Sequence, residues 1–166
     1  MEKTMYGILK TTGICPIMVA PELSFAADAA HALAGGGLPV CEVLLHRDSL
    51  NRIKSIAKNA PEVIVGAGSV ISLRDAEEAM EAGAKFFVAP GLVPEVVEFA
   101  MKKNMPILPG CVTASDISIA LKLQFIFKII PSLRANIKSY FKIFPDLPAW
   151  RCGNLSSVSR RTVRQG

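Results

Sequence analysis

Short runs of apolar residues alternate with amphipathic helical patterns along most of the chain. Runs that are apolar on both faces are typical of strands in a parallel sheet that helices cover. The pattern predicts six strands, at residues 14–19, 40–45, 63–66, 86–89, 107–108 and 126–130. It predicts helices at residues 3–9, 24–34, 49–58, 73–82, 94–103 and 115–123. A regular strand–helix repeat indicates an α/β fold, either a (β/α)8 barrel or a doubly wound sheet.

The turns of this repeat lack the sequence fingerprints of nucleotide binding. Neither GxGxxG after the first strand nor GxxxxGK[ST] anywhere in the chain is present. This disfavours the nucleotide-binding forms of the doubly wound sheet. We therefore favour a (β/α)8 barrel of the TIM type, whose active sites lie at the carboxyl ends of the strands.

Polar residues stand within or directly after the predicted strands. Glu42 lies inside an apolar strand, where a carboxylate is costly unless it is paired or functional. His46 and Arg47 follow that strand, and Ser69 follows two glycines that could let a ligand approach the backbone. Lys128 lies in an apolar stretch. Burial disfavours the charged form of a lysine, and a neutral amine can attack a carbonyl.

Each of these residues also has an ordinary structural interpretation. A lysine at a strand end usually reaches water, a strand glutamate usually forms an ion pair, and a glycine pair usually forms a turn. At the same end of successive strands, however, the set suits an aldolase. The amine forms an iminium with a keto acid, the acid moves protons, and a basic group with a hydroxyl binds a carboxylate.

Several motifs between about residues 13 and 131 resemble one enzyme family in their order and spacing. They are VCEVLL at 40–45, IVGAGSV at 64–70, EAGA at 81–84, APG at 89–91, ILPG at 107–110 and KIIP at 128–131. This set resembles the class I aldolases for 2-keto-3-deoxy-6-phosphogluconate (KDPG) and 4-hydroxy-2-oxoglutarate (KHG). The resemblance implies an aldehyde-lyase that cleaves such a substrate to pyruvate and an aldehyde through a Schiff base, with no cofactor and no metal.

The resemblance also implies a role for individual residues. Lys128 falls on the Schiff-base lysine and Glu42 on the general acid/base. Ser69 falls beside the bound pyruvyl unit, and Pro90 and Thr113 fall on the wall of the pocket. The partners implied are a small 2-keto acid and two further copies of the chain, in a cytoplasmic homotrimer.

The sequence departs from the family pattern in two regions near these residues. The family has an arginine and then a threonine after the glutamate strand, where this chain has His46 and then Arg47. Arginine offers a planar fork to a carboxylate and histidine does not. Arg47, next to the aligned His46, could supply that fork, so both residues are candidates for substrate binding. After Lys128 the family continues as KFFPAE, whereas here Ser132 follows Pro131 and the acid is absent.

The tail of the chain departs most. Up to residue 121 there are ten Lys and Arg against thirteen Asp and Glu, and after it nine against one. The tail also lacks the Gly–Gly pairs of the family's phosphate loops and the length for two further repeats. We therefore divide the chain into an aldolase-like core at 1–131 and a divergent basic tail at 132–166, and expect an incomplete barrel. A truncated or frame-shifted coding sequence accounts for all of this; a genuine basic extension accounts for the charge alone.

Composition leaves two other functions open. The chain has no apolar run near the ~20 residues that span a membrane, no signal-peptide pattern, and four scattered cysteines that indicate buried thiols in a reducing cytosol. One alternative is a catalytically impaired remnant of the same family. The other, less favoured, is a basic protein whose tail binds nucleic acid.

Overall fold

The computed structural model describes residues 5–20, 22–123, 127–129 and 149–151, the last two segments as backbone alone. All six predicted helices are present, with ends within a few residues of the predicted ones. They are α1 Met5–Thr12, α2 Phe25–Gly35, α3 Ser49–Asn59, α4 Leu73–Glu81, α5 Pro94–Lys102 and α6 Ala114–Lys122. Within the described ranges, no helix combines the length and the apolar character needed to cross a membrane.

The helix ends follow from local sequence. The Ser72 hydroxyl accepts a hydrogen bond from the backbone N–H of Asp75 (3.1 Å), which satisfies one of the unpaired donors at the start of α4. Pro94 stands in the first turn of α5, where a missing N–H costs nothing. Gly83 has a φ of +100° just after α4, a conformation that favours glycine and ends the helix.

The strands form two parallel sheets, and residues 107–111 run from the first sheet into the second. They are β1 Val40–Leu44, β2 Ile64–Gly68, β3 Phe87–Val88, β4 Ile107–Leu108, β5 Gly110–Cys111, β6 Phe127–Ile129 and β7 Ala149–Arg151. The strand orders are β1-β2-β3-β4 and β5-β6-β7. Pro109 separates β4 from β5, and because a proline has no N–H to donate, the chain changes its pairing there from β3 to β6.

The strand predicted at residues 14–19 is reduced to a single bridge. Ile17 pairs in parallel with Glu42, through a bond from Glu42 N to Pro16 O and one from Met18 N to Glu42 O, each 2.8 Å. Pro16 cannot donate to a longer ladder. The segment therefore lies beside β1 as predicted, but the expectation of a full strand was wrong.

The predicted count of six strands was also wrong, because Ala149–Arg151 forms β7 in parallel with β6. This strand is three residues long and sits in a basic stretch without apolar alternation, so its sequence gave no periodic signal. The rest of the predicted basic tail, residues 132–148 and 152–166, lies outside the described residues.

Buried residues lie on both faces of the sheet. On one face Cys41, Val43 and Val65 belong to the core formed with the helices. The other face forms a second cluster with α1: Met5, Leu9, Val40, Phe86, Val88 and Leu108. Strand residues alternate between faces, so Glu42, two residues after Val40, lies on this second face. The second face is the barrel interior, and α1 covers its amino-terminal end.

Candidate active site

Glu42 is the buried acid of the barrel interior. Only 5% of its surface is exposed, and it lies in the middle of β1 opposite Gly66 of β2. A Cβ placed on Gly68 would lie less than 3.0 Å from the Glu42 side chain, at 2.7 Å from Cδ and 2.8 Å from Cγ. The carboxylate therefore lies over the backbone of β2.

The two glycines of β2 were predicted to let a ligand approach the backbone. In the structure, side chains of neighbouring strands lie against them. Gly68 faces the Glu42 carboxylate, and Gly66 faces the ring of Phe86, whose Cδ2 would lie 2.5 Å from an added Cβ. Both neighbours are side chains of this chain. The glycines therefore make room for the acid and for an aromatic ring beside it.

His46 and Arg47 are exposed in the loop between β1 and α3. The ring Nδ1 of His46 lies 3.1 Å from the backbone oxygen of Arg47. Ser49, which is 2% exposed, closes this loop: its hydroxyl donates to His46 O (2.6 Å) and accepts from His46 N (3.1 Å). Ser49 was predicted only as the start of a helix, and its role in fixing the His46 backbone was missed.

Ser69 follows β2 directly, next to the glycine that faces Glu42. It is half-buried and has a φ of +61°, a left-handed conformation that costs a non-glycine residue ~1 kcal/mol or more. The next residue, Val70, donates its N–H to Val88 O of β3 (3.2 Å). Pro90, which is exposed, stands two residues after Val88. The loops bearing Ser69 and Pro90 are thus neighbours.

Thr113 is the N-cap of α6, and Asp116 completes a capping box with it. The Asp116 carboxylate accepts hydrogen bonds from the N–H groups of Val112 (3.1 Å) and Thr113 (2.9 Å), and the Thr113 hydroxyl accepts from Asp116 N (3.1 Å). Desolvation raises the pKa of Asp116, but the hydrogen bonds from Thr113 and Val112 outweigh it and lower the pKa below its usual value. Sequence reasoning missed Asp116, although T-x-x-D before a helical pattern is a capping signal.

We expect the Asp116→Ala substitution to lower the free energy of unfolding by about 1 kcal/mol at neutral pH, the usual worth of a helix cap. Since the folded-state pKa of Asp116 is lowered, its contribution is complete above the unfolded-state pKa of about 3.9 and is lost as the pH falls through the folded-state value. Denaturant unfolding of both proteins across this range measures the difference.

The control for this experiment is Asp28→Ala, an exposed acid in the first turn of α2. Its replacement should change the free energy of unfolding by less than about 0.5 kcal/mol. A destabilisation by Asp116→Ala that stays constant down to acid pH would contradict the assignment of the Asp116 hydrogen bonds.

Lys128 is the central residue of β6. Its Cα lies opposite Gly110 of β5 on one side and Trp150 of β7 on the other. Gly110 comes two residues after Leu108, which belongs to the interior cluster. The backbone therefore places position 128 toward the carboxyl ends of the parallel strands, the end at which Ser69, Pro90 and Thr113 follow β2, β3 and β5.

Other reactive groups near these strands are poorly suited to nucleophilic attack. Burial raises the pKa of the Cys41 thiol to about 12, and burial together with the charge of Asp116 raises the pKa of Cys111 to about 12. Both thiols are therefore protonated at neutral pH, and the thiolate is the reactive form. Across the described part of the chain, no group of three or more His, Cys, Asp or Glu could hold a metal ion.

A family model described as KDPG and KHG aldolase matches residues 5–156. This chain belongs to the KDPG and KHG aldolase family. The resemblance predicted from the motifs is thereby confirmed, and so is the α/β fold of (β/α) barrel type. The matched range continues past residue 131, where the sequence departs from the family pattern.

Two curated members of the family show the extent of the similarity. The KHG/KDPG aldolase of Escherichia coli K12 is 37% identical over 116 residues, which cover 69% of this chain and 54% of the relative. The 2-dehydro-3-deoxy-phosphogluconate aldolase of Zymomonas mobilis is 33% identical over 158 residues, which cover 92% of this chain and 76% of the relative. This family member thus spans about half the length of the Escherichia coli aldolase.

Solved structures of the family agree with the fold. The 2-keto-3-deoxy-6-phospho-gluconate aldolase from Zymomonas mobilis ATCC 29191 superposes with a TM-score of 0.80 at 31% identity, over 92% of this chain and 77% of the other. The KDPG aldolase from Legionella pneumophila, with pyruvate captured at low pH as a covalent carbinolamine intermediate, gives 0.77 at 28% identity, over 88% and 74%.

Proposed function

We propose that this chain is a class I aldolase that cleaves a substrate of the KDPG or KHG type to pyruvate and an aldehyde. The observation that carries the proposal is the buried carboxylate of Glu42 on the interior face of β1. Membership of the family supports the reaction class, and the covalent pyruvate adduct of the Legionella pneumophila relative supports attack by an amine.

The strand register supports the pairing of Glu42 with Lys128. Glu42 lies opposite Gly66 of β2. Ala67, the next residue, lies opposite Phe87, and Phe87 lies opposite Ile107. The residues level with Glu42 on the next strands are therefore 66, 86 and 106. Lys128 lies opposite Gly110, four residues further along. In a (β/α)8 barrel the register advances by about one residue per strand. Because β4 and β5 are consecutive pieces of one extended stretch, β6 is four strands away from β1. The two positions then occupy one layer of the interior.

In this mechanism the Lys128 amine attacks the C2 carbonyl of the keto acid and loses water to form an iminium. Glu42 accepts the proton of the C4 hydroxyl while the bond between C3 and C4 breaks. The electron pair of that bond moves into the iminium, so an enamine of pyruvate and a free aldehyde result. Glu42 returns the proton to C3, and hydrolysis of the iminium releases pyruvate and restores the lysine.

Substrate binding in this proposal uses the residues around the acid. Ser69, with Arg47 or His46, holds the carboxylate so that C2 faces the amine, and Pro90 and Thr113 line the pocket. The left-handed backbone of Ser69, and the hydrogen bond from the N–H of the following Val70 to Val88 O of β3, support a positioning role.

Release of pyruvate tests this function. We expect the purified protein to produce pyruvate from KDPG, from KHG, or from both, as measured with a coupled lactate dehydrogenase assay. A family relative of known activity serves as the positive control. Absence of pyruvate from both substrates would favour the alternative of an impaired remnant.

We also propose a homotrimer, as the family resemblance implies. Apolar side chains are exposed beside β1, with Ile17 at 44%, Val19 at 83% and Phe25 at 52% of their surface. Each Å² of apolar surface left in water costs about 25 cal/mol, which favours its burial against another copy. A cytoplasmic location is part of the same proposal, supported by the buried thiols of Cys41 and Cys111.

Sedimentation velocity tests the assembly. We expect the wild-type protein to sediment as a trimer and the Val19→Ser variant to dissociate more readily. Ile119→Ser is the matched control, since Ile119 is 46% exposed but lies on α6. A monomeric wild-type protein, or equal dissociation of both variants, would contradict the proposed surface.

A further inference from the structure

The interior face of β2 has no side chain at two successive inward positions, Gly66 and Gly68, which we call the glycine face. An alanine Cβ at Gly68 would lie 2.7 Å from Cδ and 2.8 Å from Cγ of Glu42, and closer still to Oε1. Real Cβ atoms essentially never approach another heavy atom within 3.0 Å. The end of the Glu42 side chain therefore occupies the space where a side chain of residue 68 would stand.

The other half of the glycine face is filled by Phe86. Its ring lies against Gly66, with Cδ2 at 2.5 Å from an added Cβ, and is fully buried. Gly66 is the register partner of Glu42. The ring therefore closes the space beside Glu42 toward the amino-terminal end of the barrel, where Phe86 packs with α1. Glu42 is 5% exposed and closely surrounded, so a Cβ added at residue 68 would have to move the end of its side chain.

We infer that Gly68 is a positioning residue for Glu42: the missing side chain at this position fixes where the carboxylate stands. The inference rests on the proposed function, because the carboxylate placed in this way is the proposed general acid/base. Gly68 does not have a positive φ, so its backbone conformation does not by itself require glycine. The space taken by the Glu42 side chain is a separate reason for a glycine at this position.

The Gly68→Ala variant tests the inference through two separate steps of the reaction. An alanine Cβ displaces the carboxylate, and a displacement of about 1 Å in a catalytic group can slow turnover ~10²-fold. We therefore expect kcat for cleavage to fall about 10²-fold. In the proposed mechanism Glu42 acts on bond cleavage and on protonation of C3, whereas borohydride reduces the iminium that Lys128 forms with pyruvate, so trapping should stay near the wild-type level. A purely structural defect would lower both.

Protein stability gives a readout that does not depend on activity. We expect Gly68→Ala to lower the denaturant midpoint clearly in the wild-type background and only slightly in a Glu42→Ala background, where the overlapping atoms are gone. Gly35→Ala is the matched control, because no heavy atom lies within 4 Å of its added Cβ and its φ is not positive. It should leave turnover and trapping unchanged and should raise the midpoint slightly, because Gly35 is the last residue of α2 and alanine is a better helix former than glycine.

Several outcomes would overturn the inference. One is wild-type turnover in Gly68→Ala. Another is an equal decrease of the denaturant midpoint in the wild-type and Glu42→Ala backgrounds, which would mean that the added Cβ clashes with a group other than Glu42. If Gly68→Ala fails to fold, recovery of folding in the Gly68→Ala/Glu42→Ala double variant supports the inference, and failure of both overturns it. If the wild-type protein neither turns over nor traps pyruvate, the proposed function fails, whereas the stability cycle still decides the role of Gly68.

Discussion

Replacement of Lys128 by alanine should abolish both pyruvate release and formation of a reducible adduct. Covalent catalysis depends on this one amine, because without an iminium the bond between C3 and C4 has no electron sink within the proposed site. Cys41 and Cys111 are poor substitutes, since burial raises the pKa of each thiol to about 12 and a thiol cannot form an iminium. Steady-state assay of pyruvate release, with borohydride reduction in parallel, measures both effects.

Lys85→Ala is the matched control for this substitution. Lys85 is exposed and precedes β3 at the amino-terminal end of the barrel, away from the proposed site. We expect it to keep wild-type turnover and trapping. If Lys128→Ala still turned over at the wild-type rate, another group would be the nucleophile.

The Glu42→Gln variant should cleave substrate ~10²–10⁴ times more slowly than the wild-type protein, the usual contribution of a general acid/base. Glutamine has nearly the same shape and still fits over Gly68, so the fold and the Lys128 amine remain in place. Borohydride trapping of pyruvate should therefore survive while kcat falls. Rapid-quench measurement of a single turnover separates cleavage from product release.

Glu98→Gln provides the control for the loss of a carboxylate. Glu98 is an exposed acid on α5, so its replacement should leave kcat unchanged. A Glu42→Gln protein with wild-type kcat would remove Glu42 from the mechanism. Loss of trapping together with turnover would instead mean that Glu42 is needed to form the adduct.

The sequence predicted the helices and most of the strands because their periodic patterns are strong. The helix predicted at 49–58 is observed as Ser49–Asn59, and the strand predicted at 40–45 is observed as Val40–Leu44. The position of Glu42 on an apolar strand already indicated a buried carboxylate. Its burial on the interior face follows from strand alternation, which a sequence displays directly.

Other features depend on contacts that a linear pattern does not contain. The sequence predicts that the glycines of β2 let a ligand approach the backbone, but what faces Gly68 is Glu42, twenty-six residues earlier in the chain. The strand expected at 14–19 is limited by Pro16, and β7 is too short to show a period. The exposed positions of His46 and Arg47 depend on how Ser49 closes their loop.

The most direct test of the central claim is to reduce the wild-type protein with borohydride in the presence of pyruvate and map the modified peptide by mass spectrometry. The account predicts a single reduced pyruvate adduct, on Lys128, that does not form when borohydride or pyruvate is left out. An adduct on a different lysine, or no adduct under conditions in which a known family member is fully labelled, would contradict it.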